Sequence, residues 1–228
     1  MHASTASFRR VLVWPLLAAL ALLGAACGGD ASSEGTPDGR TPDQRTAGEL
    51  GLAGSAFPAA IAKPDFVLTN AATGEPFDFV RDTEGDLTLL VFGYTNCPDI
   101  CPVHLANIAA ALDETSGNTQ RGVTVVFVGV DAPRDTPDHV REYLEFFDTD
   151  FLGLTGTEAE VAAAQEAALV PVAFVDSEFE GGYTVAHAGW IFLYTQDNVT
   201  HLRYPSGIRQ SAWAHDLELL VRDGWPSS

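Results

Sequence analysis

The chain has 228 residues, with 31 Asp and Glu against 12 Lys and Arg, for a formal net charge of −19 at pH 7. That charge argues against nucleic acid or an anionic lipid surface as a partner, since both repel an acidic protein. Three cysteines are too few for a disulfide scaffold, so the folded part must rest on an ordinary apolar core.

Residues 1–27 read as a lipoprotein-type signal peptide. His2 to Arg10 has no acidic residue and carries Arg9 and Arg10; Val11 to Leu23 is apolar apart from Pro15; Gly24, Ala25 and Ala26 precede Cys27. The run is too short for a comfortable membrane span. Cys27 after small residues resembles a bacterial lipoprotein site, although Gly24 stands where such signals usually carry Leu. The expectation is export, with lipid on Cys27 holding the protein to the outer face of the cell membrane. Residues 28–62, rich in Gly, Ser, Thr, Pro, Asp and Ala, read as a flexible linker that buries too little to offset its ordering entropy. Residues 63–228 are long enough for one domain with its own core.

Within that domain, Asp65–Thr69 and Glu75–Val80 predict a hairpin, and Leu87–Gly93 a buried strand. Pro102 suits a first helical position, and Leu105, Ile108, Ala109 and Leu112 follow at helical spacing. Val123–Val130 reads as a central parallel strand. Thr136-Pro137-Asp138 opens a second helix with Val140, Tyr143, Leu144 and Phe147 on its buried side. Thr157 with Glu160 opens a third as a capping box. Val172–Asp176, Tyr183–His187, Trp190–Thr195 and Val199–Tyr204 are extended, and Ile208–Arg222 is a closing helix. This order predicts an α/β thioredoxin-like fold, a central mixed sheet flanked by helices with an N-terminal hairpin.

Cys97 and Cys101 fall on the strand-to-helix turn, where backbone N–H groups lower a thiol's pKa. Four residues apart, they can form a disulfide or face one metal ion. Thiolates suit Cu(I) and also zinc, but a closed zinc site needs four ligands and no second cysteine pair exists. Two sulfurs and one imidazole suit copper better. His187, at the end of an extended segment, and His104, one turn past Cys101, are both candidate imidazoles. His139, His201 and His215 read as surface or packing residues, and Trp190, Phe192 and Tyr194 as packing. Tyr94 is either packing or a shield over the site.

Gly93-Tyr94-Thr95-Asn96-Cys97-Pro98-Asp99-Ile100-Cys101-Pro102 resembles the ten-residue signature of the Sco/SenC family. Asp131 with Arg134-Asp135-Thr136-Pro137, Gly153-Leu154-Thr155-Gly156-Thr157 and Tyr183-Thr184-Val185-Ala186-His187 resemble its further conserved segments. The resemblance spans roughly residues 64–223. It implies a membrane-tethered copper protein of thioredoxin-like fold that helps build the copper centre of cytochrome c oxidase. Cys97, Cys101 and His187 would be the metal ligands, for Cu(I), with Cu(II) a second candidate. Ala186 and Ala188 depart from the family's usual polar neighbours of the histidine, and Asp131 is a candidate acidic partner for it. The implied partners are the copper-bearing subunit of a terminal oxidase and a copper donor protein. The competing reading is a thiol-disulfide oxidoreductase using the Cys97–Cys101 pair on exported copper proteins. A peroxidase of the peroxiredoxin kind shares the fold but has no use for His187.

Overall fold

The computed structural model describes Arg40 and residues 42–226; the signal segment and Cys27 lie outside the described residues. No described helix is long and apolar enough to cross a membrane. In chain order come α1 (Pro42–Leu50), β1 (Ser55–Ala62), β2 (Val67–Asn70), β3 (Pro76–Asp78), β4 (Leu87–Gly93), α2 (Ile100–Glu114), α3 (Gly117–Gly122) and β5 (Val123–Gly129). Then follow α4 (Pro137–Glu145), β6 (Leu152–Thr155), α5 (Glu158–Ala167), β7 (Phe174–Phe179), β8 (Gly182–Ala186), β9 (Ile191–Tyr194), β10 (Val199–Tyr204) and α6 (Gln210–Asp223).

Eight strands form one mixed sheet in the order β1-β10-β9-β4-β5-β6-β2-β3. β4, β5 and β6 are parallel, and the flanking strands are antiparallel. All seven residues of β4 are buried, as an unbroken apolar strand covered on both faces must be. Its side chains still alternate. Leu87, Leu89 and Val91 join the core formed with Leu105 and Ile108 of α2, Val140 and Leu144 of α4, and Trp213 and Leu217 of α6. Leu90 and Phe92 join the opposite core with Phe79, Val161 and Ala164. Thr136 caps α4, and Thr157 with Glu160 forms the expected capping box on α5. The central mixed sheet flanked by helices is as the sequence predicts.

Three local readings need correction. The stretch read as linker up to residue 62 contains α1 and β1, which complete the sheet edge beside β10. Ala47 is buried, and the fully buried Asp216 accepts hydrogen bonds from the Ala53 amide (2.8 Å) and the Tyr204 hydroxyl (2.9 Å). A buried carboxylate is tolerable only with such donors, so this segment is tied to α6 and β10. Strand β6 is not among the expected strands; it has only four residues, Gly153 among them. A Cβ there would stand 2.5 Å from Val140, so glycine is what lets α4 lie close on the strand. Helix α2 begins before Pro102, at Ile100, which puts Cys101 inside the first turn.

A chain begun at residue 63 leaves β10 as an open edge and Asp216 without its amide donor. It should lose roughly 3 kcal/mol relative to a chain begun at residue 40, a fall of about 6–12 °C in Tm. Coincident thermal unfolding curves for the two chains would contradict this role of the segment.

Candidate metal centre

The site is built where β4 ends. Gly93 and Gly129 face each other across the parallel β4–β5 pair, and both must be glycine. A Cβ on Gly93 would stand 2.8 Å from the Cys101 sulfur, and one on Gly129 would stand 2.8 Å from Cβ of Asp135. The two glycines thus form a floor that seats Cys101 and Asp135 over neighbouring strand ends. Asp135 is buried and accepts from the Thr95 amide (2.9 Å), the Thr95 hydroxyl (2.8 Å) and the Asp131 amide (3.0 Å). It pins the turn carrying Cys97 to the β5–α4 connection. Burial raises its pKa, against the pull of those donors.

Cys97, Cys101 and His187 converge, their sulfur and nitrogen atoms all within 4.8 Å of one another. The sulfurs are not bonded to each other. Cys101 is buried, Cys97 partly so, and Nε2 of His187 lies 3.6 Å from the Cys101 sulfur. The two thiols are electrostatically unlike. The Cys97 thiol is lowered to about 3, first by the hydrogen bond from Cys101; burial opposes this, and His187 and the backbone of Asp99 and Cys101 assist. Asp99, the residue before α2, makes no side-chain cap, so the Cys97 sulfur does part of that work at the helix N-terminus. Cys101 moves the other way. Its proton is held between the sulfurs, and burial and the Cys97 charge disfavour a second anion.

His187 follows β8 directly. Its Nδ1 lies 2.9 Å from the Phe92 carbonyl and 3.1 Å from the Ala188 carbonyl. Carbonyls only accept, so Nδ1 carries a proton, and Nε2 is the ring nitrogen turned toward the sulfurs. Burial lowers the imidazole's basicity, but Cys97 and the two carbonyls outweigh it and its pKa is raised. Ala186 and Ala188 therefore do not leave the ring unsupported; main-chain oxygens orient it. Tyr94 packs edge-on against the ring at 5.5 Å between centroids and is buried. A two-sulfur, one-nitrogen set open on one side fits a soft, low-coordinate ion such as Cu(I).

Two expectations change. His104, the other candidate imidazole, is buried at 5 % exposure; burial lowers its pKa, and its Nε2 has no partner. It does not belong to the converging cluster among the described residues. Asp131 is not a partner of His187. It pairs with Nε of Arg134 and accepts from the Tyr183 hydroxyl at 2.8 Å. Arg134 also donates to the Tyr183 carbonyl (3.1 Å) and lies over that ring at 3.6 Å. Asp131, Arg134 and Tyr183 thus clamp the β8 strand, and with it His187, to the body. The sequence contains these residues in recognisable segments, but spacing does not reveal that they act on one another across 52 positions.

Residues 55–222 match the family described as SCO1/SenC. The chain is 37 % identical over 136 residues to "Protein SCO1 homolog 1, mitochondrial" of Arabidopsis thaliana, covering 56 % of this chain and 40 % of that one. It is 32 % identical over 155 residues to "SCO2-like protein" of Rickettsia felis, covering 68 % and 73 %. Among solved structures, Bradyrhizobium japonicum ScoI with copper bound superposes with a TM-score of 0.62 at 32 % identity, covering 69 % of this chain and 98 % of that one. The thioredoxin-like arrangement is shared with these neighbours.

The unequal thiols predict unequal reactivity. Above about pH 3 Cys97 is a thiolate, so its alkylation by iodoacetamide should stay nearly level from pH 5 to 8, while an ordinary thiol slows about tenfold per unit. Cys101 should be spared. Mass spectrometry of each site at pH 5 decides it, and equal, slow labelling of both cysteines would contradict the asymmetry.

Proposed function

The chain belongs to the SCO1/SenC family, and from that premise we propose that it is an extracytoplasmic copper chaperone. Cys97 and Cys101 bind the ion as thiolates and His187 through Nε2, and the cargo passes to the copper-bearing subunit of a terminal oxidase. The observation that carries this reading is the convergence of these three side chains, with Nδ1 of the imidazole held by main-chain carbonyls and Nε2 turned to the sulfurs. Cys97 needs no deprotonation step at neutral pH, and binding the ion supplies the positive charge that makes a second thiolate at Cys101 favourable.

A second reading has its own support. A low-pKa thiolate beside a shielded partner is the arrangement dithiol exchange uses. Cys97 would attack a partner disulfide and release one of its sulfurs as thiolate. Cys101, on losing its proton, would then displace the partner's other sulfur, leaving the partner a dithiol and this chain a Cys97–Cys101 disulfide.

His187 separates the two. Copper binding uses the imidazole, whereas exchange needs only the sulfurs. His187→Ala should weaken Cu(I) binding at least about tenfold, on the order of 1.4 kcal/mol, and abolish oxidase assembly while the cysteines still cycle. His215→Ala, on α6, is the control for removing an imidazole. Anaerobic competition titration and oxidase activity in cells measure both. Full complementation by His187→Ala, with loss only on removing the cysteines, would favour the reductase.

Membrane attachment is proposed through lipid on Cys27. Cys27→Ser should move the protein from the membrane fraction to the soluble one. A mutant that stays with the membrane, together with a native N-terminus free of acyl chains, would end that proposal.

A further inference from the structure

The hairpin that delivers His187 also carries an unusual surface. Every residue of β7 is exposed. Among the described residues, five of the eight large apolar side chains left exposed lie between positions 169 and 179, including Leu169 (72 %), Phe174 (63 %) and Phe179 (59 %). Scattered exposed apolar residues need no explanation, but a contiguous group does. The β7–β8 pair forms its own two-stranded sheet, so the outer edge of β7 has no strand beside it among the described residues.

Leu169 adds an independent sign. It stands just past α5 with φ of 58°, held by its amide to the Glu166 carbonyl (3.0 Å). That left-handed position favours glycine, and here it presents a leucine to solvent instead. Backbone strain kept at an exposed apolar side chain fits a contact residue better than a packing one.

The surface is continuous with the metal centre. A cleft of about 460 Å³ is lined by Leu169, Phe174, Trp190 and Arg203 on one side and by His187 itself. A protein that exchanges a metal ion must bring its own ligands next to the ion, so it must dock beside His187. The charge of the hairpin narrows the partner. Residues 174–182 carry Asp176, Glu178 and Glu180 and no basic residue. A second copy of this chain pairing edge to edge would set these acids against each other, on molecules of net charge −19. A partner strand with apolar residues flanked by Lys or Arg meets no such penalty.

We propose that β7, with Leu169, is the docking edge for the copper-exchange partner, which adds an apolar, basic-flanked strand to it. This rests on the copper-carrier reading above. Main-chain bonds along the edge would give affinity, the apolar side chains and the cleft would give anchorage, and the acids would speed encounter.

The test uses the full copper-loaded chain and the soluble copper-binding domain of the oxidase subunit from the same organism. Two variants are compared with wild type, Phe174→Ser with Phe179→Ser, and Asp176→Lys with Glu178→Lys. All four positions are exposed and none is a proposed ligand. Each variant should keep its Cu(I) affinity within about twofold against a chelator, yet transfer copper to the domain at least about tenfold more slowly. The charge variant should also lose the salt dependence of the wild-type rate. Wild-type transfer rates in both variants would overturn the docking edge and leave the copper reading standing. So would a wild-type dimer, seen by sedimentation, that the same substitutions dissolve. A matching fall in Cu(I) affinity would mean the hairpin acts only through His187. A wild-type chain that binds no copper would overturn the carrier reading and the docking edge with it.

Discussion

The Cys101 sulfur occupies the space that any side chain at position 93 would fill. That single exclusion sets much of what surrounds it. It forces glycine at the end of β4, the residue after the Phe92 carbonyl, and it places a buried thiol at the mouth of a central parallel strand. The same carbonyl accepts the His187 proton. One strand end therefore fixes two of the three converging groups, one by steric seating and one by a hydrogen bond. A sheet that buries all of β4 gives this strand end little freedom to shift, because close-packed interiors transmit displacement rather than absorb it.

The third group, Cys97, is held more loosely and is partly exposed. That difference has a chemical meaning. A buried thiol that resists ionisation beside an accessible thiolate gives the pair one charge, not two. An incoming monovalent cation would neutralise the first thiolate and favour release of the second proton. Under the proposed copper reading the site would take its charge from the ion, and a pair of fully ionised sulfurs in the same space would repel.

Much of this could be read from the residues. The unbroken apolar runs at 87–93 and 123–129 declare buried parallel strands, and Thr157 with Glu160 declares a helix start. Cys97 and Cys101 declare a soft site because no packing argument needs two thiols on a strand-to-helix turn. What escaped depends on contacts far apart in the chain. Residues 152–155 do not read as a strand, and the need for Gly153 shows only with α4 lying on it. Residues 42–62 read as linker because they are rich in small and polar residues, and only the pairing with β10 and the hydrogen bond to Asp216 tie them to the folded domain. His104 reads as a candidate imidazole one turn past Cys101, and only the fold shows it buried apart from the converging cluster among the described residues.

The alanines beside His187 carry the sharpest lesson about reading function from side chains alone. Polar neighbours at positions 186 and 188 would be one way to hold the imidazole; here the ring is held by carbonyls of Phe92 and Ala188. Backbone carbonyls are present whatever the side chain, so their placement depends on where the β8 strand lies. That in turn is governed by Asp131, Arg134 and Tyr183, which fasten β8 to the β5–α4 connection. Orientation of the third candidate ligand has moved from adjacent side chains to a clamp at a distance. The hairpin is fixed by that clamp on its β8 side and leaves β7 bare, so one element joins the candidate ligand to an unpaired edge. A partner strand seated on that edge would act on the imidazole through a two-stranded sheet, with only main-chain bonds between them.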